Sequence, residues 1–398
     1  MADNSLTSNT MSFGQLLKKN VRSYSMFIML TLIFVVFAVL TGGINFSPRN
    51  VSNIFMQNSY ILILASGMVL VIIIGNIDLS VGSIAAFTGA IAAMVYNTGI
   101  GLIPTIIVTM MVGAVIGVWQ GFWIAFMGVP SFIVTLSGML LFRGLTYVIT
   151  NVSPISLRDE GFSKITSGFL NSEALMAGDV SLLPWVVGAV LAVILVGMSI
   201  QAREKRRRKG FVIAPVSALI LRNVFVVALI AILSWKFANF RGVPIVGVVL
   251  AIVVTILTFV TNRTVFGRYV YAVGGNKRSA KLSGINTELV EFFVFVVMGS
   301  LAGLAGLVFA GYMNSALPQA GQLFELDAIA SVFIGGASMS GGIGTVIGAI
   351  VGGLVMGVIN NGMSLMNIGA DWQYVVKSLV LLLAVFYDIY TRRKAGLA

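Results

Sequence analysis

Long apolar runs alternate with short polar breaks along nearly the whole chain. The runs cover 25–41, 57–75, 77–96, 101–127, 131–150, 184–200, 216–236, 243–261, 288–312, 326–345, 346–366 and 372–390. A bilayer-spanning helix needs about 20 predominantly apolar residues, so each run is a candidate crossing. The run at 326–345 has a second reading, as a re-entrant element paired with its neighbour. The pattern predicts an all-α polytopic membrane protein with 10–12 transmembrane helices, some of them broken or re-entrant. A polar N-terminal segment, 1–24, leads into one transmembrane domain, 25–390, and a short tail, 391–398, closes it. The first apolar run is too long for the h-region of a cleaved signal peptide, which predicts an uncleaved first span.

The breaks differ in character. Phe266 to Glu288 carries Arg268, Lys277, Arg278 and Lys281 and no acid before Glu288. Gly274-Gly275-Asn276 is a turn signal, because glycine and asparagine tolerate positive φ. Lys277 to Leu282 suits one or two helical turns, which Gly284 would stop. A short basic helix between spans suits docking against something in the cytoplasm.

Composition agrees with the pattern. The chain is 58% hydrophobic and 10% charged, with mean hydropathy +1.01; a soluble domain carries about 25% charged residues. The 44 glycines suit helices that approach closely in a membrane. The net charge of +12 is confined to clusters between apolar runs, which argues for membrane lipid and against nucleic acid as a partner. There is no cysteine and no histidine. Disulfides, thiol nucleophiles, histidine bases and the usual zinc sites are thereby excluded.

Charge placement sets the expected orientation. The clusters are Lys18, Lys19 and Arg22; Arg203 and Lys205 to Lys209; Arg263, Arg268, Lys277, Arg278 and Lys281; and Arg392 to Lys394. Placing all four in the cytoplasm requires an even number of crossings between neighbours, and the runs satisfy this, with both termini inside. The basic loop 201–210 and the segment 262–287 are then cytoplasmic, and the loop 151–183 is external. That loop holds Asp159, Glu160, Glu173 and Asp179 against Arg158 and Lys164. It is long for a plain connection, and two readings remain: a short helix touching an external partner, or a solvated loop.

Three places are candidates for chemistry within the membrane. Asn76, Asp78, Ser80 and Ser83 lie where two apolar runs meet at Gly75 and Gly82. Freed backbone groups at membrane depth are tolerated only when covered by protein or a water-filled cavity, and an acid there points to function. A tight hairpin with Asp78 or Ser80 capping the next helix explains the same residues. The second place is Glu325 and Asp327, followed by a glycine-dense stretch that includes Ser338 and Ser340. It reads as a broken element lining a path, or as glycine-mediated helix packing. The Walker pattern is absent, because no Lys-Ser or Lys-Thr follows the glycines. The third is Arg143, inside an apolar run, with Asp78 and Asp327 as possible partners; Lys377 either faces the bundle or snorkels. Tryptophans near the span ends suit interface anchoring.

Five stretches together carry a resemblance: NIDLSVGSIAAFTGAIAA (76–93), VPSFIVTLSGMLLFRGL (129–145), FGRYVYAVGGNKRSAKLSGIN (266–286), ELDAIASVFIGGASMSGGIGTVIGAIVGG (325–353) and WQYVVKSLVLLLAVFYD (372–388). The chain resembles the permease subunits of bacterial monosaccharide ABC importers of the ribose/galactose/xylose branch. Asn76 departs from the usual Gly or Glu, and a longer 151–241 region makes the chain most similar to xylose or multiple-sugar permeases.

The resemblance implies a permease of the ribose/vitamin-B12-type architecture in the bacterial plasma membrane. It implies a second permease copy, an extracytoplasmic sugar-binding protein and an ABC ATPase subunit, with ATP and Mg²⁺ bound by the ATPase and no cofactor on this chain. Ala272, Gly274, Gly275, Asn276, Ala280, Leu282, Ser283 and Gly284 become the expected ATPase-coupling residues. Asn76, Asp78, Ser80, Ser83, Asp327, Ser338 and Ser340 become the expected lining of a translocation path. The competing expectation is an ion-gradient-driven secondary sugar transporter using Asp78, Asp327 and Glu291; a membrane enzyme is disfavoured by the missing His and Cys.

Overall fold

The computed structural model describes residues 13–171, 175–177, 180–211 and 215–394; Glu173 and Asp179 of the expected external loop lie outside the described residues. The helices are α1 (Phe13–Leu40), α2 (Pro48–Ile73), α3 (Val81–Asn97), α4 (Leu102–Gly121), α5 (Ser131–Thr150), α6 (Lys164–Ser167), α7 (Leu183–Arg208) and α8 (Val216–Ala238). They continue with α9 (Ile245–Arg263), α10 (Val265–Gly275), α11 (Lys277–Leu282), α12 (Thr287–Met313), α13 (Phe324–Ile334), α14 (Val346–Leu365) and α15 (Ala370–Lys394). Their starts follow from local chemistry. The Ser47, Thr264, Asn276, Asn286 and Thr345 side chains each accept an N–H from the first turn of α2, α10, α11, α12 and α14, respectively.

Among the described residues, eight helices are long and apolar enough to cross a membrane, and 26–40 of α1 together with α3 are shorter apolar helices. The run at 326–345 does not continue as one helix. It forms the 11-residue α13 and a loop in which Gly336, Gly341 and Gly342 have positive φ. At about 1.5 Å per residue, α13 reaches only half of a ~30 Å hydrocarbon core.

The chain divides into two compact units, 26–169 with 244–398, and 170–243 with 1–25. In the larger unit α12 is the axis, packed against α2, α3 and α4. Small residues set these contacts. A Cβ on Gly113 of α4 would lie 2.2 Å from the Gly299 carbonyl oxygen of α12, and one on Gly306 of α12 would lie 2.1 Å from that of Ala85 in α3. Glycine packing also joins α13 to α14, where Gly335 and Gly348 meet backbone to backbone. Leu62, Ile63, Leu64, Met68, Phe295 and Met298 fill the centre.

The described part of the 151–183 loop contains the expected short helix, α6, and its contacts are internal. Thr166 Oγ1 donates to the Val308 carbonyl at 2.8 Å, and the buried Phe162 ring meets Tyr96 edge-on at 5.0 Å. Within the smaller unit α7 and α8 form an antiparallel hairpin. Gly188 faces Ser234 near one end, and Ser199 Oγ is 2.9 Å from Asn223 Oδ1 toward the other.

Candidate functional site

The break between α2 and α3 places a cluster of polar side chains in the core. The helix is broken after Ile73, and Gly75, with φ 83°, turns the chain away from α2. Asp78 braces the turn that leads into α3: its Oδ1 accepts the Ser80 backbone N–H at 2.9 Å and the Ser80 hydroxyl at 2.5 Å. Gln120 of α4 donates to the same hydroxyl at 2.6 Å. Asp78, Ser80, Ser83 and Gln120 are all buried. Asp78 Oδ2, Ser83 Oγ, Gln120 Oε1 and Asn76 Nδ2 are shielded from solvent without a protein hydrogen-bond partner. Neither Asp78 nor Ser80 caps α3 through a side chain; Asp78 instead closes a turn on Ser80, the residue just before the helix, in a buried setting. Gln120 escaped the sequence reading; its one signal is an amide in an otherwise apolar run. Gly138 of α5 makes room for it, since a Cβ there would lie 2.7 Å from Gln120 Nε2.

The structure brings the second candidate place against the first. A Cβ on Gly82 would lie 2.2 Å from the Gly321 carbonyl oxygen and 2.5 Å from Glu325 Oε2. Arg143 reaches the same turn and donates to the Ala320 carbonyl. Neither Asp78 nor Asp327 is its hydrogen-bond partner. Asp327 is held by Lys377 of α15, with Nζ 2.9 Å from Oδ2, so Lys377 faces the bundle. Ser338 is buried and Ser340 exposed in the glycine loop. The seven expected path residues are thus spread over different environments, and only the 76–83 group forms one cluster.

The glycine loop also joins the break to the basic segment. Gly342 N–H donates to the Ile73 carbonyl, the last residue of α2, at 2.8 Å. Gly274 of α10 fits against that same carbonyl, and Tyr271 donates its hydroxyl to the Gly344 carbonyl at 2.7 Å. The eight expected coupling residues accordingly divide. Gly274 and Ala280 pack inward and Ala272 is half-buried, whereas Gly275, Asn276, Leu282, Ser283 and Gly284 are exposed. Leu282 is 84% exposed, an unusual position for a leucine at the tip of a short helix. Gly284 turns the chain there with φ 82°. The positive charge of the segment is partly internal: Lys277 pairs with the buried Glu291 at 2.7 Å and Lys281 with Glu288 at 2.5 Å.

A bundle of apolar helices, a buried polar helix break and an exposed apolar tip on a basic connecting segment define a membrane permease rather than a soluble enzyme. Residues 50–385 match the family described as branched-chain amino acid transport system / permease component, and the chain belongs to it. It is 38% identical to the xylose transport system permease protein XylH of Escherichia coli K12 over 385 residues, 96% of this chain and 95% of the relative. The XylH protein of Haemophilus influenzae is also 38% identical, over 94% of this chain and 98% of its own. The ribose import permease protein RbsC of E. coli K12 is 34% identical over 86% of each chain. No solved structure matches the chain. It is a multi-pass membrane protein of a transport-permease family.

Proposed function

We propose that this chain is the permease subunit of an ATP-driven importer of a xylose-like pentose, resident in the bacterial plasma membrane. The observation that carries this reading is the near full-length likeness to the xylose permeases. ATP hydrolysis belongs to a separate ATPase subunit, which holds ATP and Mg²⁺. An extracytoplasmic binding protein delivers the sugar, and two permease copies form the path. Both termini and the basic segment face the cytoplasm.

In this reading Leu282, Ser283 and Gly284 enter the ATPase surface, and Gly274 transmits the movement. A rigid backbone contact joins α10 to the end of α2 and to the glycine loop, so displacement of α11 is felt at the α2–α3 break. There Asp78, Ser80, Ser83 and Gln120 supply hydroxyl, amide and carboxylate groups suited to a hydroxyl-rich, neutral sugar once α3 separates from the Gly321 turn. Alternating access follows if ATPase binding favours one of two packed states. The ion-gradient alternative is less well supplied, because Asp327 and Glu291 are already held by lysines.

Reconstitution tests the assignment. Pentose uptake into proteoliposomes is expected to require ATP, the ATPase and the binding protein together. Uptake by this chain alone, or uptake abolished by a protonophore at constant ATP, overturns it.

A further inference from the structure

We propose that the α7–α8 hairpin holds the headgroup of an anionic phospholipid, gripped by Arg222 and the basic end of α7. α7 runs from Leu183 to Arg208, and at about 1.5 Å per residue it is longer than a ~30 Å hydrocarbon core. The surplus falls at its C-terminal end, where Lys205, Arg206, Arg207 and Arg208 are exposed. The acid in this stretch, Glu204, is engaged by Arg208 at 3.1 Å.

Arg222 lies on α8, beside this end and about one helical turn deeper. Its guanidinium donates to Ser199 Oγ, which also meets Asn223 Oδ1. Ser199 precedes Arg203 by one α-helical turn on α7, so the guanidinium sits just beneath the projecting basic end. Its surroundings are apolar and open: Ile220, Leu221 and Val224 are each more than half exposed. No carboxylate pairs with Arg222 among the described residues.

A guanidinium at the margin of the hydrocarbon needs an anion or water, and its planar fork matches phosphate oxygens. Clusters of basic residues immediately outside a membrane helix attract anionic lipids. Here the cluster sits above a deeper arginine and beside apolar helix faces that would bed acyl chains. A phospholipid satisfies both halves of this surface; an acidic protein face would satisfy only the charged half. The inference rests on the membrane placement of the hairpin and does not depend on which sugar is carried.

The test uses the full chain, purified in detergent and exposed to equal amounts of phosphatidylglycerol and phosphatidylcholine. Retained lipid is counted by mass spectrometry after washing. The wild-type chain is expected to prefer phosphatidylglycerol, and raising the salt is expected to weaken that preference. Arg222→Gln is expected to lower it about five-fold, the equivalent of the ~1 kcal/mol that one juxtamembrane arginine contributes. Arg222→Lys, which keeps the charge, is expected to retain more of it. Replacing Lys205, Arg206, Arg207 and Arg208 by Gln is expected to lower it further. Equal retention of the two lipids by the wild-type chain overturns the proposal, whatever the variants do. An unchanged preference in a folded Arg222→Gln chain overturns it too. If these substitutions instead release the ATPase while lipid preference stays constant, the surface belongs to a protein partner and the lipid assignment falls.

Discussion

Gly274 and Ile73 approach so closely that a Cβ on Gly274 would lie 1.7 Å from the Ile73 carbonyl oxygen, while a Cβ on the adjacent Gly275 would meet nothing within 4 Å. The clash partner is backbone at the end of α2, which cannot rotate away. Gly274→Ala is therefore expected to be destabilising at the upper end of the ~1–3 kcal/mol typical of overpacking. Gly275→Ala is expected to leave stability unchanged. Thermal unfolding of the two variants in detergent checks the pair, and equal midpoints would refute the contact.

Leu282 should separate coupling from folding. It is exposed and contributes little to the core, so Leu282→Asp is expected to change stability by no more than about 0.5 kcal/mol. ATP-driven uptake and ATPase stimulation by the permease are expected to fall sharply. Gly284→Val adds a different insult: a β-branched residue at φ 82° is strained by about 1–2 kcal/mol, with loss of the same activities. A folded Leu282→Asp complex with normal stimulation would remove this residue from the docking surface.

The Lys377–Asp327 pair ties α15 to α13. Both side chains are largely buried, at 22% and 12% exposure, so removing one partner strands a charge. Lys377→Met alone is expected to cost about 3–5 kcal/mol, and Asp327→Asn in the same chain to restore a good part of it. A double-mutant cycle on unfolding midpoints measures the coupling; additive losses would mean that the two groups do not interact.

Asp159 gives the loop after α5 a pH limit. The Tyr96 hydroxyl donates to its Oδ1 at 2.6 Å, and the Gly161 N–H donates to the same oxygen at 2.7 Å. These bonds, led by the tyrosine, hold its carboxyl below the usual range, which for an unfolded Asp is about 3.9. The stabilisation is complete above that value and is lost as pH falls through the lower folded pKa. Protection of the Gly161 amide against hydrogen exchange, corrected for the intrinsic rate, is expected to be flat from about pH 5 to 8 and to drop below about pH 4. Asp159→Asn is expected to lower it across the whole range.

Much of the fold was legible because span length and apolar content are properties of contiguous residues. The runs at 131–150, 216–236 and 288–312 became α5, α8 and α12 with small shifts at their ends. The shortness of α13 was foreshadowed by its trailing glycines. Partnerships across the bundle were not legible. Arg143 found the carbonyl of Ala320, and a carbonyl has no side-chain signature. Lys377 and Asp327 are 50 positions apart, and nothing local marks them as mates. Within 266–286 the turn expected at Gly274-Gly275-Asn276 is instead the end of α10, with no positive φ, and Gly274 serves internal packing, whereas Gly284 does stop α11 with φ 82°. Only three-dimensional neighbours distinguish a glycine that excludes a side chain from one that bends the backbone.

The root of the 170–243 segment carries one last consequence. The larger unit's chain passes Gly168 on the way out and Ile245 on the way back, and these two are joined by a backbone hydrogen bond of 3.0 Å. A chain without the segment would need only a tight turn at this point, with almost no loop to close. The segment's two ends are therefore already closed by the larger unit itself, so removing 170–243 and joining them across a short turn would stretch nothing in that unit.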